Sequence, residues 1–451
     1  MNKSCVAGLA LIVALPLCAQ NTDIEALSGL QFDFANPGAR ALGMGGAFVS
    51  IADDASAAES NPAGLTLLRK PEVSLEVRRT TMSQYFDTGG YYPDLTTTDF
   101  SATDRDISFA SAVFPHEKSS FAVFYHAALD LQNSIDTIGR YPTPTYFLGP
   151  NGAPLTYAEC QTRSDCVEGQ IYPYSTSVDI SLKTFGFAAA HDFGKVSVGA
   201  AVRHSTFSEV ASSYRVDVDL PGQPTFLITQ QNGGRLYGND SDDDITWTLG
   251  LKWRPSAAWN VGAVYKKGPE FPAPVFSTNT STHASQPLDL IGNTKFSVPD
   301  VASVGVSWHP TSNLTLGADV SRINYSVAAD DFVSVIEVVY DGEQLVKVDG
   351  VKGYEADDAT EIHAGVEYYI QTRVPFAIRA GWWRDPAHAI TYRGPLVGPD
   401  AMAATILFPE TDDVSHYTLG VGLAWPRWQI DAAYDNSKRS SIASISAVVR
   451  F

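Results

Sequence analysis

The sequence predicts an all-β protein, a transmembrane antiparallel β-barrel of about 14 strands. It also predicts a hatch, a plug of small helices inside the lumen of the barrel. Three observations support this. Segments in which apolar residues recur at every second position run along most of the chain. Short and long connections alternate between these segments, and tryptophans gather at the short ones. A stretch rich in glycine and alanine precedes the first segment.

The first 19 residues predict a secretory signal. An apolar run extends from Val6 to Leu17, and small residues suited to signal-peptidase cleavage follow it, so we expect a cut before Gln20. Lipidation of Cys18 is the alternative, but Leu17 is bulky at a place where a small residue is usual. We therefore divide the chain into a signal peptide at 1–19, an N-terminal extension and hatch at 20–70, and a barrel at 71–451.

The composition of the chain excludes several classes of protein. No later stretch approaches the roughly 18–20 apolar residues that a membrane helix needs. The 50 acidic and 31 basic residues give a net charge of −19, which argues against nucleic acid as a partner, because its binding needs a cationic surface. Cys160 and Cys166 lie in a polar stretch and predict a loop disulfide in an oxidising compartment. A metal site would need more ligands nearby, and none is expected.

The alternating segments have two unlike faces. In the clearest of them, one face carries Ile245, Trp247, Leu249, Leu251 and Trp253, whereas the other is small or polar. Lipid outside and a polar lumen inside explain this pattern, and the final segment, which ends on Phe451, resembles the closing strand of a bacterial outer-membrane barrel. The predicted strands are 71–83, 104–115, 118–131, 176–192, 195–209, 244–255, 258–268, 296–309, 311–325, 357–370, 373–385, 412–425, 427–437 and 440–451.

The connections are asymmetric, as tight periplasmic turns and long extracellular loops would be. Five of the eight tryptophans lie at or beside the short turns, and indole rings favour the membrane–water boundary. A soluble all-β protein, the alternative, has no reason to line the turns at one end with tryptophan. The five tryptophans at or beside the short turns are Trp253, Trp259, Trp308, Trp425 and Trp428. The long connections are 84–103, 132–175, 210–243, 269–295, 326–356 and 386–411.

Residues 20–70 do not alternate. Small residues dominate the run from Gly38 to Phe48 and allow close packing of the backbone. Asp53 is expected to cap a short alanine-rich helix, and Pro62 is expected to end it. A compact segment of this kind ahead of a barrel is interpreted as the hatch.

Three motifs in this segment resemble the N-terminal hatch of the FadL/TodX family of outer-membrane transporters of long-chain fatty acids and other hydrophobic compounds. They are Gly-Ala-Arg-Ala-Leu-Gly-Met-Gly-Gly-Ala-Phe-Val from Gly38, Ala-Asp-Asp-Ala-Ser-Ala-Ala from Ala52, and Asn-Pro-Ala-Gly from Asn61. The resemblance implies a fourteen-stranded barrel and a hatch motif, here Asn61, Pro62 and Ala63. It also implies lateral exit at a kinked third strand. Residues 118–131 contain no glycine or proline, so a kink at Ala127–Ala128, the place left open for it, would be unmarked in the sequence.

Candidate ligand-binding residues come from two places. The resemblance implies that the apolar N-terminal stretch contributes to the pocket. The alternation places Arg78, Arg203, Lys252 and Arg379 in the lumen, and of these Arg203 and Arg379 are the candidates to meet an anionic head group. The alternative is that these arginines pair with acids such as Asp53, Asp54, Glu59 or Glu76. Asn61 is expected to satisfy buried backbone groups of the hatch and to hold the gate. The candidate ligand-binding residues are Ile24, Leu27, Leu30, Phe32, Phe34, Arg203 and Arg379.

Together these features predict a channel for passive uptake of hydrophobic molecules, such as long-chain fatty acids or aromatic hydrocarbons, gated by the hatch. We expect a monomer in the outer membrane of a Gram-negative bacterium, surrounded by its lipids and lipopolysaccharide, without cofactor or metal. The alternative is a FadL-like barrel that acts as a docking component for exported proteins. An enzyme is not expected, because no Ser/His/acid constellation can be assembled from the nine scattered histidines.

Overall fold

The fold is known from a computed structural model of the protein. It describes residues 34–85, 99–136, 145–148, 154–170, 174–215, 242–279, 288–329, 335–340, 343–349, 353–394 and 410–451. The predicted signal peptide lies outside these residues.

Fourteen antiparallel strands form one closed barrel in which neighbours in sequence are neighbours in space. The barrel closes where the first strand pairs with the last, from Glu72 opposite Arg450 to Met82 opposite Ser440. The predicted fold class is therefore confirmed. The barrel strands are β1 (Glu72–Tyr85), β2 (Asp99–His116), β3 (Ser119–Asp136), β4 (Tyr174–Asp192), β5 (Val196–Arg215), β6 (Asp242–Ser256), β7 (Trp259–Lys266), β8 (Val301–Thr311), β9 (Leu314–Ile323), β10 (Ala359–Ile370), β11 (Phe376–Asp385), β12 (Val414–Ala424), β13 (Trp428–Asn436) and β14 (Ser440–Arg450).

The two faces of the strands differ as the alternation predicts. In β6, the side chains of Trp247, Leu249 and Leu251 are exposed on the outside, whereas Thr248 and Lys252 are buried inside. The five tryptophans predicted at the short turns all lie on the outer surface, 37–53% exposed. Among the helices that the structure describes, none is long and apolar enough to cross a membrane.

The long connections contain secondary structure that the alternation does not reveal. The strand predicted at 296–309 begins only at Val301, because residues up to Ser297 belong to a separate four-stranded sheet. A disulfide joins Cys160 to Cys166, as predicted. The strands outside the barrel are Glu270–Asn279, Leu288–Ser297, Val335–Tyr340 and Glu343–Asp349 in that sheet, Thr145–Leu148, Pro154–Leu155 and Val167–Gln170 in another, and the pair Tyr354–Glu355 and Thr391–Tyr392; two helices are Tyr157–Gln161 and Ser326–Ala329.

The hatch consists of helix α1 (Ala39–Gly43), helix α2 (Ala57–Ser60) and a 3-10 helix (Pro62–Leu67). The prediction that Asp53 caps α2 is wrong: Ser56 is the N-cap residue, and its amide donates to the carboxylate of Asp54 at 2.9 Å. Asn61, which precedes Pro62, has extended backbone angles and ends α2 as predicted.

Strand β3 contains a bulge that the sequence does not mark. Its register against β4 shifts between Ala127 and Leu129. Pairing of β3 with β2 ends at the same level, with Phe109 opposite His126. Beyond that level, β3 continues on β4 as far as Asp136, while the described part of β2 continues on β1. The two strands therefore diverge at the bulge. The small side chains of the Ala127–Ala128 pair permit this without glycine or proline.

Candidate functional site

Paired glycines on the inner face of the barrel let the hatch backbone lie directly on the wall. Gly199 and Gly250 are cross-strand partners beneath the hatch motif. A Cβ at Gly250 would lie 2.3 Å from Oδ1 of Asn61, and a Cβ at Gly199 would lie 2.4 Å from the amide nitrogen of Ala63. No side chain fits in such contacts. Two further pairs lie beneath the hatch in the same way, Gly262 with Gly305 and Gly365 with Gly381. We call these glycines the glycine belt.

Helix α1 takes its N-terminal cap from side chains of the barrel wall rather than from the residue at its own N-cap position. Its N-cap residue is Gly38, which has no side chain to offer. Instead, the amide of Gly38 donates to the carboxylate of Glu76 at 2.9 Å, and the amide of Ala39 donates to the hydroxyl of Ser446 at 3.1 Å. Glu76 and Ser446 are cross-strand partners on β1 and β14, the two strands that close the barrel.

Other wall side chains bond to the hatch backbone around the barrel. The Asp319 carboxylate accepts from the amide of Val49 at 2.8 Å. The Thr418 hydroxyl donates to the carbonyl of Gly43 at 3.1 Å. Because the amides and carbonyls of an irregular buried segment need partners, these bonds fix residues 38–68 in place. Further contacts of this kind come from Ser111 to Ala55, from Lys252 to Ile51 and between His363 and Gly45.

The side chain of Asn61 bonds to buried backbone groups, as the sequence predicts. Its side-chain amide donates to the carbonyls of Val49 at 2.9 Å and Leu251 at 3.2 Å. Its side-chain oxygen accepts from the amide of Ala63 at 3.2 Å. The side chain thus links two parts of the hatch to each other and to β6. Pro62 and Ala63, which come next in the chain, lie against Gly199 and Gly250 of the glycine belt.

Arg379, one of the two arginine candidates, is enclosed by acids. Its side chain is 1% exposed and bonds to Glu367 at 2.6 Å and to Asp431 at 2.8 Å. Arg40 of the hatch makes a bidentate pair with the same Glu367, at 2.9 Å for both bonds. A shared carboxylate of this type holds α1 to the wall. These contacts match the alternative of ion pairing and give no support to a ligand role for Arg379.

Arg203, the other candidate, lines a cavity of about 40 Å³ between the hatch and the wall. The cavity lies beside the bulge, because Ala128 and Leu182 line it as well. Apolar atoms of Phe34, Val298 and Val301 form another part of its lining. Its polar lining consists mainly of Glu59, His126, Thr184, Arg203, Lys266 and Lys267.

Glu59 of α2 forms ion pairs with two basic side chains of this cavity. Its Oε1 lies 3.2 Å from Nζ of Lys266 and 3.4 Å from a guanidinium nitrogen of Arg203. Burial on its own raises the pKa of the Glu59 carboxyl, but the charges of Arg203 and Lys266 lower it to about 2. Glu59 is therefore ionised beside two cations.

Three buried atoms at this cavity have no hydrogen-bond partner among the described residues. They are Oε2 of Glu59, Nε of Arg203 and Nδ1 of His126. Each of these residues is more than nine-tenths buried. Leaving a buried donor or acceptor unpaired costs roughly 1–3 kcal/mol, so this arrangement is suited to a polar group that enters the cavity.

A second cavity, of about 50 Å³, lies on the other side of the N-terminal stretch. Phe34 and Ala35 line both cavities. The wall of the second cavity carries Trp383 stacked between His363 and His416, with ring centroids 5.5 and 3.8 Å apart. Phe34 also packs edge-on against Tyr325 at 6.0 Å.

The sequence therefore located part of this site. Phe34 and Arg203 line the cavity, whereas Ile24, Leu27, Leu30 and Phe32 lie outside the described residues. Lys266 and His126 were missed, although the alternation of β7 and β3 places both side chains inside. Glu59 was considered only as an ion-pair partner. In the part of the chain that the structure describes, no three His, Cys, Asp or Glu residues are grouped so that they could hold a metal ion.

A closed barrel with an apolar outer surface and a helical hatch bonded into its lumen defines an outer-membrane channel. The family model described as Outer membrane protein transport protein (OMPP1/FadL/TodX) matches residues 173–446, and the chain belongs to this family. The protein therefore lies in the outer membrane, and its family consists of transport channels rather than enzymes.

Solved structures with the same fold cover nearly the whole chain. The toluene transporter TbuX of Ralstonia pickettii is 16% identical with a TM-score of 0.60, covering 93% of this chain and 99% of its own. A Pseudomonas aeruginosa FadL homologue is 14% identical with a TM-score of 0.58, covering 94% and 100%. The P. putida toluene transporter TodX is 13% identical with a TM-score of 0.58, covering 93% and 99%. Comparison with curated protein sequences finds no match.

Proposed function

We propose that this protein is a channel for the passive uptake of hydrophobic molecules across the outer membrane. The observation that carries the proposal is the cavity lined by Phe34, Leu182 and Arg203, which lies beside the level where β2 and β3 diverge. Apolar side chains with a few buried polar atoms also line small-molecule sites, which are larger than this closed cavity of about 40 Å³. The similar proteins TbuX and TodX are toluene transporters, which supports hydrophobic cargo for this chain too.

The gate is the N-terminal extension rather than the whole hatch. Residues 38–68 are bonded to strands around the barrel and seated on the glycine belt, so their displacement would leave many buried backbone groups unpaired. We take Phe34 and Ala35, which line both cavities, as the partition between them. Their movement opens a path from the outer side to the bulge, with Asn61, Pro62 and Ala63 holding the remainder of the hatch in place. A ligand drives this movement by binding the open state better than the closed one.

Cargo leaves sideways at the bulge. Below the cavity the hatch closes the lumen, while the described residues of β2 and β3 form no ladder beyond Phe109 and His126. Hydrophobic cargo would enter the bilayer there without crossing the hatch. The protein acts as a monomer in contact with lipids and lipopolysaccharide.

Uptake of labelled oleate and labelled toluene by a deletion strain tests the function. We expect slower entry of at least one compound, restored when the full-length chain is expressed again. A variant with Phe34 changed to alanine should be included in the same assay. Removal of this side chain, which we place between the two cavities, is expected to speed uptake. Equal rates for both compounds in wild-type and deletion strains would reject the transport function.

A docking barrel for exported proteins is the second candidate. The four-stranded sheet built from two long connections, at Glu270–Ser297 and Val335–Asp349, favours it, because a sheet of this type offers a surface for another protein. This function predicts normal uptake of both compounds in the deletion strain. It also predicts the loss of an exported protein from the cell surface, which proteomics of surface-labelled cells would detect.

A further inference from the structure

A groove of about 570 Å³ lies outside the lumen, at the turn between β12 and β13. It is much larger than either lumenal cavity, and its lining consists of Trp425, Pro426, Arg427, Trp428 and Ile430. The amide of Trp425 donates to the carbonyl of Trp428 at 2.7 Å, which closes the turn. The two tryptophans are 37% and 53% exposed. The uptake function gives this groove no role.

An apolar surface continues from the turn along the outer face of β12 and β13. Leu423 and Ile430 are cross-strand partners there, and both side chains are exposed. Hydrocarbon chains pack against side chains of this kind, whereas indole rings, which are apolar with one N–H donor, favour the membrane–water boundary. The groove therefore offers a place for an acyl chain next to a place for a polar head group.

The short-turn end of the barrel is positively charged, although the whole chain has a net charge of −19. Six short connections lie at this end, and all their residues are described: 117–118, 193–195, 257–258, 312–313, 371–375 and 425–427. Together with residues 69–71 before β1, they contain one acidic side chain, Glu117, and six basic ones: Arg69, Lys70, Lys118, Lys195, Arg373 and Arg427. None of the six basic side chains forms an ion pair with a described residue. This end of the barrel therefore attracts anions.

A second pair of tryptophans at the same end provides a comparison. Trp259 and Trp308 stack with ring centroids 5.6 Å apart, but the turns beside them, residues 257–258 and 312–313, contain no lysine or arginine. Arg254, near the end of β6, is paired with Asp192 at 2.7 Å. Exposed indole rings are thus a general feature of this end. The turn at 425–428 adds a guanidinium that no described carboxylate neutralises.

We propose that the turn at 425–428 is a binding site for an anionic phospholipid, with phosphatidylglycerol preferred to phosphatidylethanolamine. The short turns of outer-membrane barrels face the periplasm, and the leaflet on that side consists of phospholipids. The guanidinium of Arg427 holds the phosphate through two parallel N–H bonds. The indole N–H groups of Trp425 and Trp428 donate to oxygens of the glycerol backbone, and an acyl chain lies along Leu423 and Ile430.

The charge of the head group decides this preference. Phosphatidylethanolamine carries an ammonium group beside its phosphate, and the basic side chains at this end repel it. Arg373 is one of them, in the connection whose Pro375 carbonyl accepts from the amide of Ala424 at 3.0 Å, next to Trp425. Each basic residue near a membrane surface contributes about 1 kcal/mol to the attraction of anionic lipid. The site lies outside the lumen, so it does not depend on the proposed uptake function.

Native mass spectrometry of the protein, extracted from outer membranes in detergent, tests the site, because it counts the lipids bound to each barrel. Wild type should bind its first phosphatidylglycerol about tenfold more tightly than phosphatidylethanolamine, the scale of a hydrogen bond to a charged group. Arg427→Gln should remove most of this preference. Arg427→Lys should keep part of it, since an ammonium retains the charge but not the planar fork. Equal affinities of wild type for the two lipids, or an unchanged preference in Arg427→Gln, would overturn the proposal.

Lys118→Gln is the matched control, because it removes one exposed cation at the same end of the barrel, in the turn with Glu117. Its preference for phosphatidylglycerol should stay within about twofold of wild type. A loss as large as that of Arg427→Gln would show a diffuse attraction without a site and reject the proposal.

Two further probes examine the other possible occupants of the groove. Lipid A, the anionic lipid of the opposite leaflet, should bind wild type and Arg427→Gln equally. A peptide of ten glutamates should not displace phosphatidylglycerol at equal concentration. Weaker binding of lipid A by Arg427→Gln, to the same degree as for phosphatidylglycerol, would refute the assignment to a phospholipid. Displacement by the peptide would assign the groove to an acidic protein instead.

Discussion

Gly250 of β6 and Asn61 of the hatch approach each other so closely that a Cβ at Gly250 would lie 2.3 Å from Oδ1 of Asn61. The wall and the hatch motif therefore fit together only while position 250 lacks a side chain. We expect Gly250→Ala to destabilise the protein by about 1–3 kcal/mol, the usual effect of overpacking. Thermal unfolding in detergent measures this effect.

Gly317→Ala is the matched comparison for that variant. A Cβ at Gly317 would meet its nearest neighbour, the carbonyl oxygen of Ala47, at 3.0 Å, so a shift of a few tenths of an ångström relieves the contact. Its loss of stability should be clearly smaller. Equal stability of the Gly250→Ala variant and wild type would show that the hatch is not seated on this glycine.

Asn61 should matter more for the order of the hatch than for the barrel. Asn61→Ala leaves the carbonyls of Val49 and Leu251 and the amide of Ala63 without their partner, at roughly 1–3 kcal/mol for each buried group that stays unpaired. We expect faster hydrogen exchange in residues 61–68 and unchanged exchange in β12 and β13. Asn436→Ala, at an exposed strand end, is the control and should change neither region.

Substitutions of the two candidate arginines, Arg203 and Arg379, should affect stability and ligand binding to different degrees. Arg379→Met breaks a buried network with Glu367 and Asp431, and removal of one partner of such a network costs about 3–5 kcal/mol. Its ligand selectivity should stay as in wild type. Arg203→Met should instead lower the affinity for oleate with a smaller effect on stability. The reverse result, a selectivity change confined to Arg379→Met, would contradict the assignment of the site.

The bulge in β3 can be removed by deleting one residue. His126 and Leu129 both point inward although they lie three positions apart. Deletion of Ala128 brings them to the normal spacing of two, so β3 can continue its ladder with β2. We expect a folded barrel with uptake reduced at least about tenfold, whereas Ala128→Gly keeps the bulge and the activity. Full uptake by the deletion variant would exclude exit at this place.

His388 should make the outer end of the lumen sensitive to pH. Burial on its own lowers the pKa of His388, but its bond to Asp385, at 3.2 Å, and the Pro386 carbonyl raise it above the usual value. A raised pKa means that the stabilisation is complete below the unfolded pKa of about 6.5 and is lost as the pH rises through the folded pKa. Tyr325 stacks on His388 at 4.0 Å and contacts Phe34, so this loss should reach the N-terminal stretch.

NMR titration of the His388 ring measures this pKa directly. Between about pH 6 and 8, the melting temperature of wild type should fall as the pH rises. His388→Gln should make that slope smaller, and Asp385→Asn should move the titration to lower pH. A ring that titrates at or below the usual value would disprove the prediction.

The barrel could be predicted from sequence because lipid and lumen impose different side chains on the two faces of every strand. Trp247 and Thr248 show this difference within two residues. The bulge at Ala128 could not be predicted, because an extra residue in a strand needs no turn-forming residue. The four-stranded outer sheet was missed because its strand Glu270–Asn279 contains two prolines, Pro272 and Pro274, and prolines in a sequence argue against a strand.

For the site, the inward direction of the side chains could be predicted from sequence, but their partners could not. Alternation places Arg203 and Arg379 in the lumen equally well, and nothing local distinguishes them. The difference lies in partners that are distant in sequence, since Glu367 and Asp431 surround one arginine and Glu59 alone faces the other. The pairing of Glu59 with Lys266 depends on which part of the hatch meets β7, and that is settled only when the whole barrel is assembled.

The cap of α1 has a consequence for the order of events during biogenesis. Glu76 and Ser446 come from opposite ends of the chain and stand side by side only after the first and last strands have joined. Until the barrel has closed, these two acceptors are not side by side, and the first amides of the helix lack them. We therefore expect the hatch to reach its final position only after the first and last strands have paired.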